Sequence, residues 1–287
     1  NGGVPSQEWL ALKAEAIRRA DAAGHHRFAL PKTHGGRDGT NLEIAVIREH
    51  LNGKGLGLHN DAASEHAIVG LVPITLAQVV LEYGSKSQQE MLLGPLMRGE
   101  FALAMAITEP NHGSDATFME TAARRDGTDW IINGTKTWNT GVNTASCDMI
   151  FARTSGKPGD IKGITAFLVP IRPKCASGFK IERYLHTFTM PTDHALVSLT
   201  DVRVPADAVF GEEGEGLAVA LRFINENRIR QAAASLGVAQ MSVNEAVEYA
   251  KRRTMRGRPL ATNQAIQFPL AELHTQCELV RALLYKT

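Results

Sequence analysis

Cysteine is scarce in this sequence. Cys147, Cys175 and Cys277 stand far apart and form no Cys-x-x-Cys pair. That spacing supports neither a structural zinc site nor a disulfide framework, and a reducing compartment is the default reading. No apolar run approaches the roughly 20 residues that cross a bilayer, so no membrane span is expected. Net charge is also nearly absent: 31 Lys and Arg against 30 Asp and Glu leave +1. A nucleic-acid binder carries a basic excess or stripe, so no nucleic-acid partner is expected. The densest basic cluster is Lys251-Arg252-Arg253 with Arg256 and Arg258. Charge alone leaves open a phosphate-bearing ligand or a solvated helix end.

What is present suits a globular protein, with 44% hydrophobic and 21% charged residues. A length of 287 residues allows one large domain or two to three modest ones. Apolar spacing predicts helices over residues 9–23, 42–51 and 67–83, the first broken by Leu30-Pro31-Lys32-Thr33-His34-Gly35-Gly36. Gly84 ends the third helix, and Ser85 with Gln88 reads as a capping box opening another. Gly94-Pro95 reads as a bend. Near residue 102 the period changes, with strands predicted over 102–108, 122–125, 130–132, 149–152, 164–169, 179–181 and 195–199. Asp126-Gly127 is a hairpin signal. After Gly211-Glu212-Glu213-Gly214-Glu215-Gly216 the helical period returns, over 217–253 and 263–285. The expected fold is α+β. Residues 1–101 would form an N-terminal helical domain, 102–211 a β-sandwich or barrel-like middle domain, and 212–287 a C-terminal helical bundle, cut short.

Two stretches carry chemistry. In Ile107-Thr108-Glu109-Pro110-Asn111-His112-Gly113-Ser114-Asp115 a strand runs into a Gly/Ser loop. Such a loop offers N–H groups and hydroxyls to an electron-rich ring or a phosphate; an ordinary polar turn has the same composition. In Asn133-Gly134-Thr135-Lys136-Thr137-Trp138-Asn139-Thr140-Gly141, Asn133-Gly134 reads as a turn. Trp138 and Thr140, two apart, share a strand face. An indole and a hydroxyl there could pack on a planar cofactor and bond its edge; a half-buried core tryptophan is the other reading.

Together the two stretches resemble the acyl-CoA dehydrogenase family, whose middle part carries Thr-Glu-Pro, then Gly-Ser-Asp, then Asn-Gly-x-Lys-x-Trp. The resemblance extends over nearly the whole chain. It takes in Pro31 to Gly35-Gly36, Gly84-Ser85 to Gln89, Leu93 to Glu100, Val202-Arg203-Val204-Pro205, Gly214-Glu215-Gly216, Arg228 to Ala239, and Arg252-Arg253-Thr254 to Ile266. It implies FAD as cofactor. Thr108 would bond the pyrimidine side of the flavin, at the end of a strand bearing Met105 and Ile107. Thr140 would reach N5, Ser114 and the amides near Gly113 the pyrophosphate, and Trp138 would pack beside the ring. Arg252 and Thr254, with Met255 where an aromatic is common, would reach the adenine half of a flavin bound mainly by a partner subunit. That implies a homodimer or homotetramer. The implied reaction is α,β-dehydrogenation of an acyl-CoA to the 2-enoyl-CoA, with electrons passed to an acceptor such as electron-transfer flavoprotein.

The catalytic base is unidentified. The family's usual Glu would lie beyond Thr287. A minority of the family carries a base directly before the Arg that corresponds to Arg228, a supporting residue here, but that position is Asn227. Glu226 is a further 100° around the helix and should point elsewhere. The segment His186 to His194 is bulkier than the family pattern and adds Asp193-His194. It would shape the acyl pocket, or form a surface turn. The same motifs would serve an acyl-CoA oxidase, a nitroalkane oxidase or a flavin monooxygenase. A flavin-binding relative that associates with nucleic acid is a third class, and the neutral net charge counts against it. Acyl-chain length and compartment (mitochondrial matrix, peroxisome or cytoplasm) stay open.

Overall fold

The computed structural model describes residues 6–54, 71–187 and 194–286. Helices come first: α1 (Gln7–Ala22), α2 (Asn41–Asn52), α3 (Leu71–Tyr83) and α4 (Lys86–Arg98). Among these four helices, the starts of α1, α2 and α4 are each fixed by a side chain. Ser6 caps α1. Thr40 with Glu43 and Ser85 with Gln88 form full capping boxes on α2 and α4, which satisfies N–H groups that have no partner inside the helix. Gln88 does more than cap. Its Nε2 donates to the carbonyls of Asp207 and Val209 at 3.0 and 2.9 Å, pinning α4 to the strand region.

Among the described residues, the middle of the chain forms eight strands. They are β1 (Leu103–Ala106), β2 (Ala122–Asp126), β3 (Asp129–Thr140), β4 (Cys147–Arg153), β5 (Ile164–Pro170), β6 (Phe179–Leu185), β7 (His194–Val204) and β8 (Val209–Phe210). They make one sheet in the order β6-β7-β3-β2-β4-β5-β8, with β1 parallel on β4. β4 and β5 are buried on both faces, so their sequences are mostly apolar, with Asp148 and Thr165 as buried polar exceptions. Ile150, Phe167 and Val169 join Ile132, Val197 and Val202 in one cluster. Met149, Phe151 and Ala166 face Leu76, Val80, Leu92, Leu96 and Val219 of the surrounding helices in another.

The chain then runs through α5 (Gly216–Arg252), a two-residue hairpin of β9 (Thr254–Met255) and β10 (Arg258–Pro259), and α6 (Gln264–Lys286). α5 spans 37 residues, about 55 Å at 1.5 Å per residue. Ala45 of α2, Ala233 and Leu236 of α5, and Cys277 and Leu284 of α6 share a third cluster.

The mixed α+β architecture is as expected, and so are the hairpin at Asp126-Gly127 and the two long C-terminal helices. Two local readings are corrected. Gly94-Pro95 is not a bend, because α4 runs through it to a left-handed cap at Gly99. Leu92 and Leu96 on that turn are buried, and their packing outweighs the one helical N–H that Pro95 lacks. Asn133-Gly134 is not a turn either, because both residues lie inside β3. Asn133 exchanges two hydrogen bonds with Asp201 on β7. Gly134 has φ +155°, and a Cβ there would meet Thr121 Oγ1 at 2.3 Å, so only glycine fits this crossing. Of the helix expected over 67–83, residues 67–70 lie outside the described residues. So do residues 188–193 of the segment from His186 to His194.

Candidate functional site

The site begins with a charge inside a sheet. Lys136 is carried inward by β3, and its side chain is fully buried. Its Nζ donates to Glu109 Oε1 at 2.8 Å and to the Ile107 carbonyl at 3.1 Å. The Glu109 carboxylate also accepts from the Glu120 and Thr121 N–H groups, at 2.5 and 2.9 Å. Burial alone would raise Glu109, but Lys136 and these donors hold it below the usual carboxylate range. Burial pulls Lys136 below its ordinary value, and Glu109 opposes that pull. The Thr137 N–H donates to the Thr108 carbonyl at 2.9 Å. Residues 107–109 are thereby fastened along 136–137, and the two motif stretches become one piece of structure.

Past Glu109 the chain folds into a tight loop closed by reciprocal bonds between Glu109 and His112, at 3.0 and 3.2 Å. Gly113 and Ser114 are exposed on it. A Cβ at Gly113 would meet nothing within 4 Å, so this loop leaves its backbone and the Ser114 hydroxyl open to a ligand. Upstream, Met105 and Ile107 are half-buried against the cluster shared with α3, α4 and α5.

On β3 the ladder to β7 shifts register between Lys136 and Asn139. Trp138 stands in that bulge with φ +55°, a left-handed conformation that costs a non-glycine residue about 1–2 kcal/mol. Its indole is turned outward, 51% exposed, next to the exposed Thr140, while Asn139 between them is buried. Trp138 and Thr140 therefore share a face, as simple alternation predicts, but the bulge is what aims the indole. Thr140 Oγ1 lies 2.9 Å from His194 Nδ1. The His194 ring meets the Trp138 indole edge-on, with centroids 6.2 Å apart.

Asn139 points the other way, and its Nδ2 donates to Asp148 Oδ2 at 2.5 Å. Burial pushes the Asp148 carboxyl up to about 7, against the opposing pull of Asn139 and Lys136. Sequence reasoning missed Glu109, Lys136, Asn139 and Asp148 as a group. The signal available was a charged residue inside the apolar run from Cys147 to Ala152.

Arg252, Thr254 and Met255 belong to a second locus. Arg256 and Gly257 form the two-residue turn of the hairpin at φ +52° and +76°, the pair of positive angles that a type I′ turn requires. All three candidate residues are exposed. Arg252 Nε donates to the Glu248 carbonyl at 3.3 Å, and Arg253, Arg256 and Arg258 form no ion pair among the described residues. The start of α5 is tied to the sheet, with the Gly163 N–H bonded to the Gly214 carbonyl at 2.9 Å. The hairpin follows the opposite end of that helix, tens of Å away. The structure thus brings Thr108, Gly113, Ser114, Trp138 and Thr140 into one region and holds Arg252, Thr254 and Met255 apart from it.

Neither acid–base candidate on α5 is available. Glu226 is buried, with Oε1 paired to Arg222 and Oε2 to Arg230 at 3.2 Å. Arg230 also donates to Thr75 on α3. This carboxylate braces two helices. Asn227 is half-buried, and Arg228 is exposed with its guanidinium on Asn225 Oδ1 at 2.9 Å. An apolar groove of about 550 Å³ lies between α5 and α6, lined by Val243, Val247, Ile266, Leu270 and His274. It holds none of the candidate residues. Among the described residues no cluster of His, Cys, Asp or Glu could hold a metal, and no helix is long and apolar enough to cross a membrane.

An exposed indole, hydroxyls, an open glycine loop and a separate cationic hairpin suit a ligand with a flat ring and a phosphate. Comparison with known proteins agrees. The family model described as the acyl-CoA dehydrogenase middle domain matches residues 104–202, and the one described as its C-terminal domain matches 214–287. A 3-(aryl)acrylate reductase of Clostridium sporogenes is 34% identical over 94% of this chain and 69% of its own length. The human mitochondrial short-chain specific acyl-CoA dehydrogenase is 32% identical over 95% of this chain and 64% of its own. A glutaryl-CoA dehydrogenase of Mycobacterium smegmatis, solved in complex with FADH2, superposes with a TM-score of 0.76 at 26% identity, covering 98% of this chain and 69% of that one. The chain spans about two thirds of the length of these relatives.

Proposed function

The chain belongs to the acyl-CoA dehydrogenase family, and on that premise we propose that it is the flavin-binding part of an FAD enzyme that dehydrogenates an acyl-CoA thioester to the 2-enoyl-CoA. The observation that carries the reading is the Glu109–Lys136 clamp. It holds Thr108 beside the strand that presents Trp138 and Thr140, so one rigid unit offers an aromatic face and hydroxyls together.

The chemistry of these side chains fits FAD. Ser114 and the amides around Gly113 would neutralise the pyrophosphate, Thr108 and Thr140 would bond the ring edge, and Trp138 would cover the ring and keep water from it. Met105 and Ile107 would support the wall behind Thr108. Arg252 and Thr254, with Met255 beside them, would hold the adenine half of a flavin seated on another copy, because within one chain they lie tens of Å from the ring-facing group. Bound FAD would supply the acceptor for the β-hydrogen of the substrate.

The acyl-CoA would lie between the sheet and α5, with Arg228 in a supporting role. The α-proton acceptor is assigned neither to Glu226, which is engaged with two arginines, nor to Asn227, whose amide takes up no proton near neutral pH. The loop carboxylate that the family resemblance implies beyond Thr287 is the proposed base. A division at about residues 101 and 211, a homo-oligomer, and electron-transfer flavoprotein as acceptor complete the proposal.

A second reading comes from the arylacrylate reductase relative. The same residues would serve reduction of a carbon–carbon double bond in an acrylate, the reverse direction. One experiment separates these readings. Purified protein should carry a bound flavin visible by absorption. Protein that includes the proposed base beyond Thr287 should oxidise members of an acyl-CoA panel with an artificial acceptor, without oxygen, and residues 1–287 alone should not. Turnover only from a reductant to an arylacrylate would favour the second reading, and rapid reaction of the reduced protein with oxygen would favour an oxidase. Colourless protein that cannot be reconstituted with FAD would reject all three.

A further inference from the structure

The bulge that aims Trp138 is not held by the strand ladder. On β3, Lys136 is opposite Val197 and Asn139 is opposite Ala195 of β7, while Thr137 and Trp138 pair with no β7 residue. Trp138 has φ +55°, a conformation that surroundings must impose on a non-glycine residue. Two buried side chains bracket it. Lys136 before it is tied to Glu109. Asn139 after it is tied to Asp148 on β4, with Nδ2 donating to Oδ2 at 2.5 Å. Both members of this second tie are buried. Yet Asn139 Oδ1 and Asp148 Oδ1 accept no hydrogen bond among the described residues. Two orphaned acceptors in one sealed pair cost free energy. An ionised carboxylate has no hydrogen to offer between them, and a neutral carboxyl has one.

We propose that Asp148 is a positioning residue: as the neutral acid it donates from Oδ1 to Asn139 Oδ1, closes a two-bond ring with that amide, and so locks the bulge that presents Trp138 and Thr140 to a bound flavin. The proposal rests on the FAD reading above. Its consequence is a site whose cofactor affinity depends on pH. Burial pushes the Asp148 carboxyl up to about 7, against Asn139 and Lys136. Lys136 is the charged group on β3 that bears on it, and Glu109 lies beyond that ammonium at 2.8 Å. On β4 burial raises the neighbouring Cys147 thiol, which stays neutral. β1 and β5 place Ala104 and Val169 opposite Asp148, and neither titrates. As pH rises through about 7 the carboxyl loses its hydrogen. Two bare oxygens then face each other, one bond of the ring is lost, and the bulge loosens.

Two measurements test this. Infrared spectra of the parent minus Asp148→Asn at about pH 6, where exposed carboxylates are ionised, should contain the carbonyl band of a neutral carboxylic acid. Absence of that band overturns the proposal. In flavin titrations the parent should bind FAD about tenfold more weakly at about pH 9 than at about pH 6, the size of one lost hydrogen bond. Asp148→Asn should keep the tighter affinity at both pH values, because an amide there gives a hydrogen to Asn139 Oδ1 whatever the pH. Asn139→Leu should show the weaker affinity at both. Exchanging the pair, Asn139→Asp with Asp148→Asn, should restore tight binding at the lower pH and its loss at the higher, because acid and amide have only traded places. The same pH dependence in the parent and in Asp148→Asn overturns the positioning role, and so does an exchanged pair that binds no tighter than Asn139→Leu. If Asn139→Leu does not fold, the parent and Asp148→Asn decide alone. A parent that binds no FAD at either pH overturns the cofactor reading and the positioning role with it, while the ring itself stands or falls on the infrared band.

Discussion

The Glu109 carboxylate and the Lys136 ammonium lie 2.8 Å apart, sealed from water, and each comes from a different stretch of the sequence that carries chemistry. Leaving either charge buried alone is expensive, about 3–5 kcal/mol. Glu109→Gln and Lys136→Met should each lower unfolding stability by that order in urea titrations. The double change Glu109→Leu with Lys136→Met should recover part of the loss, because no unpaired charge remains. Single variants that cost less than about 1 kcal/mol would show that the clamp does not hold these stretches.

Asp148 predicts a pH dependence of stability. Burial raises its carboxyl to about 7, so the folded protein holds a proton there that the unfolded chain, with an ordinary carboxyl near 4, has already lost. Its contribution is intact below about pH 4 and is lost as pH rises toward 7. Asp148→Asn removes that loss and keeps a hydrogen-bonding amide opposite Asn139. The variant should gain stability relative to the parent, on the order of a few kcal/mol, between pH 4 and 7 and hold the gain above. Denaturant midpoints measured at pH 4 and pH 8 would check this; an equal difference at both pH values would count against it.

Much of this arrangement was legible in the sequence where the cause is local. Ser85 and Gln88 announce a capping box because its two partners are three residues apart, and Asp126-Gly127 announces a hairpin because the turn uses the positive φ of Gly127. The misread elements are those whose cause is distant. Asn133-Gly134 carries a turn signal, yet it sits in a strand paired on one side to β2 and on the other to β7. Pro95 carries a helix-breaking signal that the burial of Leu92 and Leu96 overrides. The motifs located the exposed residues Ser114, Trp138 and Thr140. They gave no hint that Glu109 and Lys136 join them from beneath, because a buried ion pair leaves no periodicity to read. His194 stood out only as an unusual residue until the sheet placed it against Thr140.

Helix packing gives a third prediction. A Cβ on Gly237 of α5 would meet the Glu49 carbonyl of α2 at 2.3 Å. The Glu49 side chain in turn accepts from Arg281 Nε at 2.8 Å and from the Tyr285 hydroxyl at 2.5 Å on α6. Gly237→Val should force these three helices apart and cost about 2–3 kcal/mol as overpacking. Thermal unfolding would measure the loss. Val238→Ala, one residue on at a 41% exposed position, serves as the control and should cost much less. Equal effects of the two changes would mean that the close approach is not limiting.

The last prediction concerns which copy serves which flavin. The ring-facing residues Trp138 and Thr140 and the cationic hairpin at Arg252 and Thr254 are held tens of Å apart by the length of α5. If both serve one cofactor, they must come from different copies. Arg252→Ala in one copy should weaken flavin binding by about 1.5–3 kcal/mol, the worth of one charge-assisted contact. Thr140→Val with Trp138→Ala should weaken it from the other side. Two such variants, each with its own affinity tag, can be co-expressed and the mixed dimers isolated through both tags. In a mixed dimer one site then combines both defects, and the other combines an intact strand with an intact hairpin. Flavin titration should therefore find one site of parental affinity in each mixed dimer and none in either variant alone. If strand and hairpin of the same chain served one flavin, every site in the mixed dimer would carry one defect, and no parental-affinity site would appear.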